Sequence, residues 1–211
     1  MLPEHIKPML AETAEKPFDS KEHLFEIKWD GIRCVAFVRN GKVHLQNRKL
    51  SSMTARYPEL QCLREWPEGT VIDGEVVVLD EGKPSFQRLA RREHVGDSRR
   101  VELLLQRLPA TYIAFDLLYE NGQSIMREPL VERRKRLKAL AMVFPNPHVI
   151  VAEYILMRGK RYFAEVERVG LEGIMAKRID SVYTPGARSS AWLKLKVCQT
   201  ADFVLIGCTK R

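Results

Sequence analysis

Apolar and polar positions alternate over many short segments of the chain, a pattern typical of β-strands that bury one face. Residues 32–38 and 42–46 flank Asn40-Gly41, a dipeptide that favours the tight turn of a two-residue hairpin. Most of the strands lie a hairpin's length apart, which favours antiparallel pairing. The other segments predicted as strands are residues 70–79, 111–118, 149–154, 173–177, 192–197 and 202–207.

Helices are fewer than strands. Pro129 can open a helix, residues 160–169 form a second helical pattern, and residues 99–106 form a third. Within the first, we expect residues 132–138 to be the solvated face of an amphipathic helix. Many short strands with a few helices predict an α+β protein.

An unusual concentration of charge surrounds one glycine in residues 26–33. If this segment is a continuous strand, Glu26, Lys28 and Asp30 share one face, because side chains alternate along a strand. The residues that would then face the core are Phe25, Ile27 and Trp29. A lysine among carboxylates and an arginine, beside a glycine that permits close backbone approach, fits a covalent nucleophile for a phosphate-bearing substrate.

Other apolar runs also carry isolated charges. Residues 71–78 place Asp73 and Glu75 on one strand face, where burial is costly unless a partner neutralises them. Alternatively, this run is an edge strand or turns at its glycine. Asp116 interrupts a further apolar run, in which Phe115 taken alone indicates a core position.

Composition limits the class of protein. The chain has 211 residues, of which 45% are hydrophobic and 29% charged, as expected for a soluble globular protein of about one domain. No apolar run reaches membrane-spanning length and the amino terminus lacks the order of a secretory signal, so we expect a cytoplasmic protein. The cysteines lack metal-ligand spacing and are expected to be reduced; they are Cys34, Cys62, Cys198 and Cys208.

The net charge of +8 indicates a polyanionic partner. Basic residues cluster in 87–92, 98–100 and 133–136. Charge alone does not separate DNA from RNA, or either from a free nucleotide. No segment matches the Walker A loop or the dinucleotide fingerprint, so a phosphate site of those kinds is not predicted.

Five motifs occur in an order that accident does not explain. They are Lys-Trp-Asp-Gly-Ile-Arg from Lys28, Asp-Gly-Glu from Asp73, Phe-Asp-Leu-Leu from Phe115, Glu-Gly-Ile-Met-Ala-Lys from Glu172 and Leu-Lys-Leu-Lys from Leu193. With them the chain resembles the covalent nucleotidyltransferases, most closely the adenylation domain of ATP-dependent DNA ligases of the bacterial end-joining type. The resemblance implies a nucleotidyltransferase (ATP-grasp-like) fold with two mainly antiparallel sheets flanked by helices.

The resemblance also implies roles for the motif residues. Lys28 would attack the α-phosphate of ATP as a neutral amine and carry AMP, with Asp30, Lys194 and Lys196 completing the catalytic set. Glu172 and Glu75 would bind Mg²⁺ or Mn²⁺. The residues implied to bind the nucleotide are Glu26, Ile27, Arg33, Arg48, Glu75, Phe115, Met175, Lys177, Lys194 and Lys196.

A second group of implications concerns DNA. AMP would pass to the 5′-phosphate of nicked double-stranded DNA, and the arginines expected to contact its phosphates are Arg88, Arg91, Arg92, Arg99 and Arg100. Residues 1–200 would form the adenylation domain and 201–211 would begin an oligonucleotide-binding domain, so we expect full nick sealing by this chain to be impaired. A monomer, a nucleoid location and DNA-end-binding repair partners complete these expectations.

Two alternatives stay open at this point. An RNA ligase or a capping-type guanylyltransferase would use the same lysine chemistry with another base or acceptor. A noncatalytic nucleic-acid-binding module would explain the basic charge, but it has no need for acids buried beside lysines.

Overall fold

The computed structural model of the protein describes residues 2–93, 95 and 97–197. The strands are β1 (Leu10–Thr13), β2 (His23–Ile27), β3 (Ile32–Arg39), β4 (Lys42–Asn47), β5 (Val71–Asp80), β6 (Lys83–Pro84), β7 (Ala110–Glu120), β8 (Gln123–Ser124), β9 (Val149–Val151), β10 (Tyr154–Leu156), β11 (Gly173–Arg178) and β12 (Arg188–Lys196). The helices are α1 (Phe86–Glu93), α2 (Ser98–Arg107), α3 (Leu130–Val143) and α4 (Gly159–Arg168), with 3₁₀ turns at Thr54–Arg56 and Pro58–Glu65.

The strands form two sheets. The first has the order β1-β12-β11-β2-β10, and the second has the order β4-β3-β5-β7-β8, with β6 added to β5 and β9 added to β7. Among the described strand pairs, β1 with β12 and β7 with β9 are parallel and the rest are antiparallel. The α+β class and the mainly antiparallel sheets are therefore confirmed. The predicted strand 202–207 lies outside the described residues.

The hairpin between β3 and β4 forms as predicted. Arg39 pairs with Lys42, and the two turn residues, Asn40 and Gly41, have φ of 53° and 65°. Both values are positive, as a type I′ turn requires, and asparagine and glycine tolerate them best. The local chemistry of the dipeptide therefore sets the register of this edge of the second sheet.

The second sheet is covered on both faces. Along β3, Cys34, Ala36 and Val38 enter a core under the 3₁₀ turns and α3, while Val35 and Phe37 enter a core that also holds residues of the first sheet. This is the alternation expected of a strand buried on both sides. A third core lies between the first sheet and α4. The interface between the two sheets is where the motif residues meet.

The segment of the lysine motif is not one strand. β2 ends at Ile27 and β3 begins at Ile32, so residues 28–31 cross from the first sheet to the second. The expectation that Phe25 and Trp29 share a face is wrong, because Phe25 packs in the core beside α4 and Trp29 packs in the core between the sheets. Lys28 therefore stands on a crossing between two sheets.

Gly31 explains why the chain can turn so sharply at this crossing. A Cβ atom at position 31 would lie 2.3 Å from the carbonyl oxygen of Val76 on β5. Only glycine leaves room for that backbone approach. The backbone that Gly31 approaches belongs to a neighbouring strand, and the approach to a substrate expected from the sequence stays a prediction.

Three further boundaries differ from the sequence predictions. The basic residues 87–92 lie within α1, a helix that the sequence did not predict. The predicted strand 149–154 is divided between β9 and the first residue of β10. β12 begins at Arg188, four residues before the predicted start. Within the described residues, no helix is long and apolar enough to cross a membrane.

The expectation that residues 132–138 form a solvated helix face is wrong for two of the arginines of α3. Arg133 and Arg134 are buried. Arg133 donates from Nε and Nη2 to the two carboxylate oxygens of Asp116 at 2.8 Å, and both side chains are fully buried. Burial raises the pKa of Asp116, and the hydrogen bonds from Arg133 oppose that rise. This ion pair fastens α3 to β7.

We predict that Arg133→Ala destabilises the protein by about 3–5 kcal/mol, because it leaves the Asp116 carboxylate buried without its partner. Urea unfolding followed by circular dichroism measures the change. Lys135→Ala is the matched control, since Lys135 makes an exposed ion pair with Glu132 on the same helix. Equal losses in the two variants would contradict the assignment of α3 docking to the Asp116 pair.

Candidate active site

A cavity of about 270 Å³ opens between the two sheets. Predicted residues line it as follows: Glu26, Ile27, Lys28, Arg33, Arg48, Glu75, Phe115, Met175, Lys177, Lys194 and Lys196. Glu172 lies beside this cavity through its contacts with Lys28 and Lys196. Residues from all five motifs therefore share one concave site, as a ligand pocket requires.

Strand register builds the wall that the first sheet contributes. Met175 on β11 lies opposite Glu26 on β2 and opposite Lys194 on β12. Two residues further along β11, Lys177 lies opposite Trp192 on β12. Since residues two apart share a strand face, these five side chains point to the same side of the sheet.

The nucleophile candidate sits in an ion-paired cluster. The Lys28 Nζ donates to Glu172 Oε2 at 2.5 Å, and the Lys196 Nζ contacts Glu172 Oε1 at 3.0 Å. The backbone N–H of Lys28 donates to the carbonyl oxygen of Gly173 at 2.9 Å. Burial raises the pKa of Glu172, but the hydrogen bonds from both lysines outweigh it and hold the pKa below its ordinary value. Glu172 is thus a carboxylate shared by two lysines.

Gly173 allows this close arrangement of β11, β12 and the lysine loop. Its φ is 145°, and a Cβ atom there would lie 2.0 Å from the carbonyl oxygen of Leu195. Asp30, next to the cluster, is half-buried; burial and the nearby Glu172 carboxylate raise its pKa. Asp30 itself does not line the cavity among the described residues.

Away from Lys28, the cavity is lined by a buried cation, Lys177, which packs among aromatic rings. The Lys177 Nζ lies 4.1 Å from the ring centre of Phe115 and 4.2 Å from that of Trp192. It also forms an ion pair with Glu26, which is 2% exposed. Burial lowers the pKa of Lys177, and Glu26 opposes this effect. Arg134 Nη1 approaches the second Glu26 oxygen at 3.8 Å.

Arg33 occupies the middle of the site. Its Nε and Nη2 each donate to Asp73 at 2.6 Å, and its guanidinium carbon lies 4.7 Å from the ring centre of Phe115. Asp73 is fully buried, so the predicted need for a partner is confirmed. Glu75 lies opposite Arg33 in the sheet register. Burial raises the pKa of Glu75 to about 8, against the opposing charges of Arg33 and Lys28.

An irregularity in the second sheet places Phe115 in the cavity. Asp73 on β5 pairs with Asp116 on β7, and the next β5 residue, Gly74, pairs with Ala114. Phe115 is therefore the extra residue of a bulge, a device that redirects side chains beside functional sites. It is 6% exposed, so the core position indicated by sequence and the implied nucleotide contact are compatible.

The donor set suits a hard divalent cation. Glu75 and Glu172 place carboxyl oxygens near Lys28, and Mg²⁺ commonly takes one or two carboxylates with substrate phosphates and water. Within the described part of the chain, no group of three or more histidines, cysteines or acidic residues is arranged to hold an ion. The remaining ligands would therefore come from the nucleotide and water.

Comparison with known proteins agrees with this geometry. The family model for the ATP dependent DNA ligase domain matches residues 8–196. The chain belongs to this family. The resemblance, the enzyme class and the nucleotidyltransferase fold predicted from the sequence are thereby confirmed.

The relatives and solved structures are themselves named as ligases. The chain is similar to the SPbeta prophage-derived DNA ligase-like protein LigB of Bacillus subtilis (33% identity, 98% of this chain and 73% of that protein) and to DNA ligase C2 of Mycolicibacterium smegmatis (37%, 96% and 56%). A mycobacterial DNA ligase D complexed with ATP and MES superimposes with a TM-score of 0.77 at 33% identity, over 93% of this chain and 62% of that one. This ligase domain thus corresponds to part of each relative.

Of the five arginines predicted to meet DNA, four are accessible in the ligase domain and one is buried. Arg91, Arg99 and Arg100 are exposed, and Arg88 is partly exposed and pairs with Asp80 at 2.7 Å. The prediction for Arg92 is wrong, because it is 1% exposed and forms an ion pair with the buried Glu59 at 2.8 Å. A helix can direct one basic residue of a run into the core, as α1 does with Arg92.

Sequence reasoning missed several residues of the ligase domain's site. Trp192 and Arg188 line the cavity, and Asp73 with Tyr183 supports it from behind. A signal existed for Trp192, which shares the strand face of Lys194 at a spacing of two. Tyr183 lies in a loop with no periodicity, so sequence carried no signal for its contact with Asp73.

We predict that the stability of the ligase domain falls as pH rises because of Glu75. Its proton is bound more tightly in the folded chain, so the stability it contributes is complete below the ordinary pKa of 4.5 and is lost as pH rises through about 8. Glu75→Gln should therefore match the wild type at about pH 5 and melt higher at about pH 8.5, by about 2–4 °C for each kcal/mol recovered.

Thermal denaturation from about pH 5 to pH 8.5 provides the measurement. The matched control is Glu102→Gln, which alters an exposed carboxylate on α2. The Glu75 assignment fails if both variants lose stability with pH as steeply as the wild type does.

Proposed function

We propose that the ligase domain transfers AMP from ATP to Lys28 and then to the 5′-phosphate of nicked DNA. The observation that carries the proposal is the position of Lys28, which lines the cavity and donates to Glu172 within reach of Lys196. A nucleophilic lysine needs neighbouring cations that stabilise charge developing on phosphorus. Lys194, Lys196 and Arg33 supply such charge in the same cavity.

The chemistry requires an exchange at Glu172. The Lys28 Nζ donates to Glu172 at 2.5 Å, whereas attack on phosphorus needs a nitrogen lone pair that faces the nucleotide. Nucleotide phosphates would draw Lys196 away from Glu172, and Lys28 would leave the same carboxylate and give up one proton to solvent. The new N–P bond then forms as the bond to the leaving pyrophosphate breaks, and Lys28 carries AMP as a phosphoramidate.

The buried end of the cavity suits a planar base. Phe115 and Met175 both line it, and the Glu26 carboxylate has an oxygen with no hydrogen-bond donor among the described residues. An adenine amino group could donate to that oxygen while the ring packs against Phe115. The Lys177 ammonium would then move from the ring face that it now covers. Arg33 and Arg48 would contact the ribose and phosphates.

A divalent ion is part of the proposal. Glu172 and Glu75 would hold Mg²⁺, or Mn²⁺, when nucleotide is present, and the ion would neutralise phosphate charge that the protein's cations do not reach. Asp30 would keep the lysine loop in position, since it borders the Glu172 cluster.

We predict that Lys28→Ala abolishes covalent labelling by ATP that carries radioactive phosphorus at the α position. Wild-type protein with Mg²⁺ should retain label after denaturing electrophoresis, because the phosphoramidate is covalent. Lys42→Ala, which removes an exposed lysine from the β3–β4 hairpin, should label as the wild type does. Labelling that persists in Lys28→Ala would exclude Lys28 as the nucleophile, and labelling by GTP in place of ATP would favour a guanylyltransferase.

Nicked duplex DNA is the proposed acceptor, by analogy with relatives that are named as DNA ligases. Support on this chain comes from the net charge of +8 and from the exposed arginines of α1 and α2. We propose that residues 1–200 act as the adenylation unit; the residues predicted to begin an oligonucleotide-binding domain, 201–211, lie outside the described part. End-binding repair proteins are proposed partners because four relatives of this chain, all LigD proteins, are named non-homologous end joining proteins.

We predict that replacing Arg99 and Arg100 together by alanine weakens binding to nicked duplex and makes it less dependent on salt. Each lost phosphate contact should reduce the slope of log K against log salt concentration by about 0.9. Fluorescence anisotropy across a salt series measures both quantities. The control replaces Lys135 and Lys138, two exposed cations of α3, and an equal change in slope there would show that only net charge matters.

A further inference from the structure

A network of hydrogen bonds lies directly behind Arg33, outside the residues that line the cavity. The Tyr183 hydroxyl donates to Asp73 Oδ2 at 2.6 Å and accepts from the backbone N–H of Met9 at 2.9 Å. Arg33 Nη2 donates to the same Asp73 oxygen at 2.6 Å and approaches the carbonyl oxygen of Met9 at 3.3 Å. Arg33, Asp73, Met9 and Tyr183 therefore close a ring of contacts.

This network joins parts of the chain that are far apart in sequence. Arg33 and Asp73 belong to neighbouring strands of the second sheet, whereas Met9 immediately precedes β1 and Tyr183 precedes β12 in the first sheet. Tyr183 is 3% exposed, and burial together with Asp73 raises its pKa well above the ordinary value. Its hydroxyl therefore stays protonated and donates to the carboxylate over the working pH range.

The position of Arg33 depends on both partners of Asp73. The Asp73 carboxylate must meet the two parallel N–H groups of the guanidinium, and a carboxylate rotated out of that plane cannot accept both in good geometry. The Tyr183 hydroxyl fixes one of its oxygens from the side of the first sheet. Tyr183 also packs edge-on against Trp192, with ring centres 5.7 Å apart, and Trp192 borders the guanidinium at 5.7 Å.

We propose that Tyr183 is a positioning residue for nucleotide binding, which acts by orienting Asp73 and through it the guanidinium of Arg33. The inference rests on the proposed function, in which Arg33 contacts the ribose and phosphate side of ATP. Tyr183 does not touch the nucleotide in this account. Loss of its hydroxyl lets the Asp73–Arg33 pair rotate, so the guanidinium of Arg33 is less precisely oriented in the cavity. Lys28 and its carboxylate partner Glu172 stay unchanged.

The test is Tyr183→Phe, which removes the hydroxyl and retains the ring. We expect the KM for ATP in formation of the labelled lysine adduct to rise about tenfold, equivalent to about 1.4 kcal/mol, with kcat within about twofold of the wild type. Tyr57→Phe is the matched control. Tyr57 is also buried and its hydroxyl also donates to a carboxylate, that of Glu93 at 2.7 Å, but in a core away from the cavity.

Both variants should lose similar thermal stability, and only Tyr183→Phe should change KM. A second test combines Tyr183→Phe with Arg33→Lys, since lysine cannot make the two-pronged contact. In that background, removal of the hydroxyl should raise KM by less than about twofold, because the two residues act through one another. An unchanged KM in Tyr183→Phe, or an additive effect in the double variant, would overturn the positioning role.

Equilibrium binding of ATP separates this inference from the proposed function. Calorimetric titration of ATP without Mg²⁺ should give a Kd that is about tenfold weaker for Tyr183→Phe than for Tyr57→Phe. If the wild type forms no adduct and this difference is present, the AMP-transfer proposal fails and the role of Tyr183 stands. If the adduct forms and the two Kd values agree, the role of Tyr183 fails and the AMP-transfer proposal stands.

Discussion

The buried contact between Arg33 and Asp73 is the interaction on which the rest of the site depends. Asp73 lies in the middle of a sheet that is covered on both faces, and a carboxylate there is tolerated only with a cation and further hydrogen bonds. Arg33 supplies the cation, and its guanidinium in turn covers the face of Phe115. Tyr183 and Met9 also contact this pair, so the interaction connects the second sheet to the segments that lead into β12 and β1.

The cavity contains two ion-paired clusters that differ in their exposure to solvent. Lys28 and Lys196 share the partly exposed Glu172, whereas Lys177 is buried with Glu26 between two aromatic rings. In the proposed function, the first cluster would exchange its partners for phosphate groups and water, because solvent reaches it. The second cluster would exchange only with a ligand that restores its hydrogen bonds, and the buried end would select for such a ligand.

Much of the fold and of the site follows from sequence where the signal is local. The Asn40-Gly41 turn, the strand face shared by Asp73 and Glu75 and the alternation that places Lys194 with Lys196 depend on backbone geometry over a few residues. The errors have a common cause. Arg92, Arg133 and Arg134 were expected at the surface because arginine usually is exposed, but each has a carboxylate from a distant segment as its partner.

The sequence by itself determined the family and the identity of the lysine motif, because the order of the five motifs carries the resemblance, and that resemblance implied most of the residues that line the cavity. Only the tertiary structure decided that residues 28–31 cross between sheets, that a bulge turns Phe115 into the cavity and that Tyr183 supports Asp73. The reason is physical. Each of these features depends on how segments far apart in sequence pack against one another, and such packing leaves no local sequence pattern.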